Sequence, residues 1–195
     1  HPIPGPINKP SNVSWGSENS SYVFNALGHM TKSVDPVGRT FSYLYDANNI
    51  DLLEARQTRA GNNDLLGKWI YNNDQHLPNK YIDGSGQVTQ YAYNAFGQLT
   101  TLTDANGNVT TNTYSSDGLL LQTDGPMPGS ADSTTFSYDG LNRLYSVTDS
   151  QGYTVYFSYD NADRLILVTY PDGTTEQTIY DKLDAVMQKD RLGRW

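Results

Sequence analysis

A chain of 195 residues carrying 13 Lys and Arg against 21 Asp and Glu, with a formal charge of −8 and its basic residues scattered rather than striped, is not built to hold nucleic acid. It has no cysteine, which removes a disulfide framework and a thiolate metal site, and no apolar stretch approaches the roughly 18 residues of a membrane-spanning helix. Only 36% of residues are hydrophobic while 15 Tyr and 17 Gly accompany many Thr, Ser, Asn and Asp, a mixture suited to half-buried strands and tight turns rather than to a Leu/Ile core.

In chain order, residues 1–20 open with HPIPGPINKP, which has four prolines and no apolar run of the signal-peptide kind. This segment is expected to be a Pro/Ser/Asn-rich linker or boundary, with the natural protein continuing upstream. From residue 21 an aromatic phrase recurs at Phe24, Tyr45, Tyr71, Tyr93, Tyr114, Tyr138, Tyr159 and Tyr180, at spacings of 21, 26, 22, 21, 24, 21 and 21 residues. A period of this length marks a stacked architecture in which no single unit buries its own apolar face. Residues 21–195 are therefore predicted to be about eight β-hairpin repeats.

Within each repeat a shorter pattern fixes the turns. An Asp- or Asn-like residue is followed three positions on by one that tolerates a left-handed backbone: Asn25 to Gly28, Asp35 to Gly38, Asp83 to Gly86, Asn94 to Gly97, Asp104 to Gly107, Asp139 to Asn142, Asp149 to Gly152 and Asp160 to Asp163, with Gly118 closing another turn of this kind. An Asx side chain can accept a hydrogen bond from the backbone two residues on, two residues form a type I turn, and the last takes positive φ, which makes a three-residue hairpin loop. If Asp160 pairs with Arg164 across that loop, Tyr159 faces Leu165, and Tyr138 likewise faces Leu144. The ring is then packed, and the hydroxyl is expected to be wet. About sixteen strands in one antiparallel meander exceed what an open twisted sheet holds flat, so a curved strip or arc is expected, wetted on part of each face. Two stretches break the rhythm, 55–69 and 125–134, and both are expected to be surface loops. The segment NNIDLLEARQT, residues 48–58, could alternatively be a short helix, but the flanking hairpins favour strand.

The phrases YDGLNRLYSVTDSQG, YNAFGQLTTLTDANG and FNALGHMTKSVDPVG resemble YD repeats, also called Rhs repeats, whose pattern is Tyr-Asp, two variable residues, Gly-Arg-Leu, then Val-Thr-Asp and Gly. The resemblance runs over roughly residues 21–195. It implies an all-β strip that spirals into a hollow shell, as in Rhs effectors, toxin-complex shell proteins and teneurins, where bacterial shells enclose a C-terminal toxin and related extracellular proteins serve as adhesive scaffolds. Eight repeats would supply an arc of such a shell. The expected partners are further repeats or domains of the same longer protein, with an enclosed toxin polypeptide or a surface glycan beyond them, and the expected location is secreted or cell-surface in a bacterium. Asp35-Pro36-Val37-Gly38 resembles part of the family's self-cleavage motif, but Arg39 stands where that motif has Leu, and Asp35 is read as a turn residue.

No catalytic, metal or cofactor constellation stands out. His1, His29 and His76 lie in unrelated contexts and are expected to be solvated. Asp104–Asn108 has the start of a calcium loop, but its Gly falls at the fourth position and no Glu follows at the twelfth. The chain is thus predicted to be a non-catalytic structural repeat segment. The alternative is a carbohydrate-binding or adhesion module, which is disfavoured because Trp15, Trp69 and Trp195 are out of phase with the repeat and the in-phase tyrosines already have cross-strand partners.

Overall fold

The structure is a computed structural model and describes residues 12–15, 18–72 and 74–195. The described residues contain no helix. They divide into two compact units, one ending at residue 91 and the other spanning residues 92–195.

The first unit holds β1 (Asn12–Trp15), β2 (Glu18–Phe24), β3 (Met30–Val34), β4 (Thr40–Tyr45), β5 (Leu52–Arg59), β6 (Asn62–Ile70), β7 (Lys80–Asp83) and most of β8 (Val88–Tyr93). Each strand through β7 pairs antiparallel with the next. The segment expected to be linker, residues 1–20, thus contains β1 and the start of β2, while residues 1–11 lie outside those described.

The second unit holds β9 (Leu99–Thr103), β10 (Val109–Tyr114), β11 (Leu120–Asp124), β12 (Thr134–Tyr138), β13 (Leu144–Thr148), β14 (Thr154–Tyr159), β15 (Leu165–Thr169), β16 (Thr175–Asp181) and β17 (Asp184–Lys189). Here too every strand pairs antiparallel with its successor. Successive turns open at Asn94 and Asp104, and at Asp139, Asp149 and Asp160, which leaves room only for short strands between them, and the all-β hairpin meander follows.

The expected registers are found. Tyr159 lies opposite Leu165, Tyr138 opposite Leu144, Tyr114 opposite Leu120, Tyr45 opposite Leu52 and Phe24 opposite Met30, each just beyond a bulge. Along β10 the two faces alternate, with Val109, Thr111 and Thr113 exposed and Thr110, Asn112 and Tyr114 half-buried. Burial goes no deeper than this for most of the chain. Among the described residues Ala55 is the one apolar side chain classed as buried, and no large side chain is wholly enclosed. Cohesion therefore rests on the backbone ladder and on cross-strand pairs worth about 0.2–1 kcal/mol each, rather than on a dry core.

One expectation fails here. Residues 55–69 are not a loop: they lie in β5 and β6, which form the longest hairpin among the described residues, closed by Ala60 and Gly61 at φ 49° and 85°. Two successive positive-φ residues make a type I′ turn, whose twist matches that of the flanking strands. Ala in the first of these positions is an uncommon choice, so the turn carried no Asn-Gly signal. Glu54 holds the base of the hairpin, 3.0 Å from the Arg56 Nε and 3.2 Å from the Lys68 Nζ. The other irregular stretch is a loop, connecting β11 to β12 until Thr134 enters the ladder.

Candidate functional site

The repeated residues converge on two constructions, a turn and a clamp. In the turn, the carboxylate or amide Oδ1 of Asn25, Asp35, Asp83, Asn94, Asp104, Asp139, Asp149, Asp160 and Asp190 accepts backbone N–H groups two and four residues on, at 2.8–3.1 Å. The residue three on donates its N–H to the carbonyl of the first, as Gly152 does to Asp149 at 3.0 Å. Gly28, Gly38, Gly86, Gly97, Gly107, Gly118 and Gly152 occupy this last station with φ between 78° and 87°. Both oxygens of Asp104 are engaged by its own turn, since Oδ2 also accepts from the Asn108 Nδ2 at 2.8 Å.

A Cβ at residue 152 would meet nothing within 4 Å, so the station tests backbone strain alone. Gly152→Val is expected to destabilise by about 1–2 kcal/mol, and Gly152→Asn by only a few tenths, because Asn tolerates the left-handed region. Asn142 and Asp163 already sit there at φ 62° and 60°. Equal losses for Val and Asn in urea melts would contradict the turn geometry.

The clamp is formed by the tyrosines, and it differs from the expectation of a wet hydroxyl. Tyr45, Tyr114, Tyr138, Tyr159 and Tyr180 stand opposite a cross-strand residue, and these tyrosines together with Tyr71 donate their hydroxyls to a backbone carbonyl of the preceding hairpin. Tyr45 donates to Met30 (3.2 Å), Tyr71 to Leu52 (3.2 Å), Tyr114 to Leu99 (2.9 Å), Tyr138 to Leu120 (2.9 Å), Tyr159 to Leu144 (3.0 Å) and Tyr180 to Leu165 (3.2 Å). Tyr93 closes β8 just before the Asn94 turn, and Phe24 has no hydroxyl to offer. The recurring tyrosine is thus a strut between consecutive hairpins.

A second strut was not read from the sequence. The residue following the left-handed station reaches across to the next turn along the same edge. The His29 Nδ1 lies 2.7 Å from the Asn49 carbonyl, and the His29 ring stacks on Tyr45 at 5.3 Å. The Gln98 Nε2 donates to the Gly118 carbonyl at 2.7 Å. Arg143 holds its own Asp139 through Nε at 2.8 Å, extends Nη1 to the Asp160 carbonyl (3.1 Å) and the Asp163 Oδ1 (2.8 Å), and covers the Tyr159 ring at 4.9 Å. Arg164 repeats the arrangement with Asp160, the Lys182 carbonyl and the Tyr180 ring. The signal was present as a polar residue directly after the turn station at 29, 98, 143 and 164, but only the stacked hairpins give it an address.

Neither described histidine is merely solvated. His29 belongs to this ladder, and the His76 Nδ1 stands 3.1 Å from both carboxylate oxygens of Asp51; His1 lies outside the described residues.

The arginines set the electrostatics. Hydrogen bonds from Arg143 and Arg164 hold the carboxyls of Asp139 and Asp160 below the ordinary carboxylate range, against an opposing desolvation. At Asp35, desolvation raises the value but is outweighed by the bonds from Arg39. A carboxyl depressed in the folded state contributes stability that is present above its unfolded value of about 3.9 and is lost as pH falls through the folded value. The melting temperature is therefore expected to hold from pH 7 to about 5 and to drop below about 4. Combining Asp139→Asn with Asp160→Asn should flatten that drop; an unchanged acid limb would remove these turns as its source.

Stacked bulged hairpins, strutted by tyrosine hydroxyls and turn-edge side chains, define a β-hairpin repeat protein whose recurrent groups bind its own backbone. The chain carries Rhs repeats: the RHS Repeat profile matches residues 73–109, 93–127 and 138–175. No curated protein sequence matches it. The fold is similar to a stretch of TcdB2–TccC3 without its hypervariable C-terminal region (13% identity, TM-score 0.53) and of the Photorhabdus luminescens Tc holotoxin pore (14%, TM-score 0.54), with 89% of this chain covered in each comparison. The chain spans about 11% of the length of those chains.

Proposed function

We propose that this chain is a non-catalytic wall segment of a YD/Rhs-type shell, contributing a stretch of sheet to a larger protein that encloses a toxin polypeptide or serves as an extracellular scaffold. The observation that carries this reading is the engagement of the repeat's defining residues in holding one hairpin to the next: Asx in turns, Tyr hydroxyls on the preceding carbonyl, Arg on the following turn. The repeat positions Phe24 to Tyr180 and their partner glycines are in this view structural throughout. Its natural partners are further repeats or domains of the same protein, and its setting is a secreted bacterial toxin assembly or a cell surface, in line with the toxin-complex structures it resembles.

Cryo-electron microscopy of the natural protein containing these residues tests the reading directly. The segment is expected in the wall of an enclosing shell, contacting preceding and following repeats; a free-standing position outside any such wall would overturn it. A glycan array supplies the contrasting outcome. Saturable micromolar binding to one sugar by the 195-residue chain would favour the carbohydrate-binding alternative. That binding would fall on Tyr145 and Tyr156, whose rings meet edge to face at 5.5 Å and remain half exposed, rather than on the in-phase tyrosines.

A further inference from the structure

In the second unit one hairpin meets the next at four junctions: β9–β10, β11–β12, β13–β14 and β15–β16. Three of them share the same set of ties. Each has three residue pairs in register. Each is closed at its far end by a short turn, at 104–107, 149–152 or 170–173. Each is bridged along the near edge by Gln98, Arg143 or Arg164 reaching the next turn, and each has its tyrosine strut.

The β11–β12 junction keeps only the last of these in full. Two pairs are in register, Gln122 with Thr135 and Thr123 with Thr134. The far end is the long loop between Asp124 and Thr134 instead of a tight turn. The station that would bridge to the Asp139 turn is Leu119, which has no polar atom on its side chain, and its turn opens on Ser115, whose Oγ accepts only from the Leu119 N–H, at 3.0 Å. What remains is the Tyr138 hydroxyl on the Leu120 carbonyl at 2.9 Å. The loop also encloses the Oδ1 atoms of Asp124 and Asp132 without hydrogen-bond partners, although the Asp132 Oδ2 accepts from the Met127 N–H at 3.1 Å, and opening would return the two Oδ1 atoms to water.

We propose that the β11–β12 junction is a built-in opening point of the second unit, at which residues 92–124 and 134–195 part before any other hairpin junction lets go. The inference stands on local bonding and is independent of the wall reading. Opening there would uncover the ladder groups of two strands at once, an edge able to accept another strand.

Residue-resolved amide exchange by NMR on the 195-residue chain tests it. Amides of β11 and β12 that point at each other are expected to exchange at least about tenfold faster than the corresponding amides of β13 and β14, as a local opening below the global one requires. Equal or slower exchange would overturn the proposal. The double change Ser115→Asn with Leu119→Gln copies the Asn94–Gln98 pair, whose side chains are joined at 2.9 Å. It should slow the β11–β12 amides several-fold, by supplying the missing bridge, and leave β13–β14 unchanged; no selective slowing would count against the proposal. Tyr138→Phe, which keeps the ring and removes the last strut, should accelerate the β11–β12 amides selectively. If it accelerates β13–β14 to the same extent, opening is global and there is no preferred point.

Discussion

Replacing Tyr159 by alanine is expected to cost about 2–3 kcal/mol, and replacing it by phenylalanine about 1 kcal/mol. The alanine change removes three contacts together: the cross-strand pair with Leu165, the surface under the Arg143 guanidinium, and the hydroxyl bond to the Leu144 carbonyl. The cost is set below that of a core aromatic because the residue is only half-buried. Phenylalanine keeps the first two contacts and leaves the Leu144 carbonyl to find water. Chemical denaturation of the three proteins separates the contributions. If phenylalanine matched the wild type, the hydroxyl strut would carry no net energy; if it matched alanine, ring packing would be irrelevant.

The second large effect is predicted at Gly84. A Cβ there would stand 2.5 Å from the Leu65 carbonyl oxygen, a backbone atom that cannot swing aside as a flexible side chain would. Gly84→Ala is therefore expected to push the Asp83 turn away from β6 and to cost about 1–3 kcal/mol, in the range of overpacked sites. Gly86, two residues on, provides the contrast. Its added Cβ would meet nothing within 4 Å but its φ is +84°, so Gly86→Asn should be nearly silent. A Gly84→Ala protein with an unchanged denaturation midpoint would show that the turn and β6 are free to separate.

These two positions mark how far the sequence could be read. Tyr159 announced itself by its period and by the Leu six residues later, so its strand, its register and its cross-strand partner were all legible. Its hydroxyl was not, because the Leu144 carbonyl belongs to the preceding hairpin and nothing in the phrase points back to it. Gly84 sits inside Asp83–Gly86, where the pattern explains Gly86 but is silent on why the second residue must also be small. The reason is a chain neighbour 19 positions upstream. Residues 55–69 were misread for a related cause: they break the repeat spacing as an inserted loop would, yet cross-strand pairing and the Glu54 ion pairs hold them as the longest hairpin among the described residues.

By itself the sequence determined the Asx turns and the hairpins they close, which depend on bonds within a few residues; the Ala60–Gly61 turn, which lacks that chemistry, escaped it. The Asx side chains, the left-handed station and the alternating strands between them are local, so the hairpin, its bulge and the all-β repeat class followed from spacing and turn chemistry alone. The tertiary structure decided how one hairpin holds the next: that tyrosine hydroxyls act as struts, that His29, Gln98, Arg143 and Arg164 reach the following turn, and that Leu119 leaves one junction without this bridge. These contacts join residues about 15–20 apart, and each exists only when a carbonyl or ring from a neighbouring repeat has been brought within 3–5 Å by stacking. A periodic sequence specifies that its units are alike; which groups meet between units depends on register and on the reach of individual side chains, and those are properties of the assembled sheet.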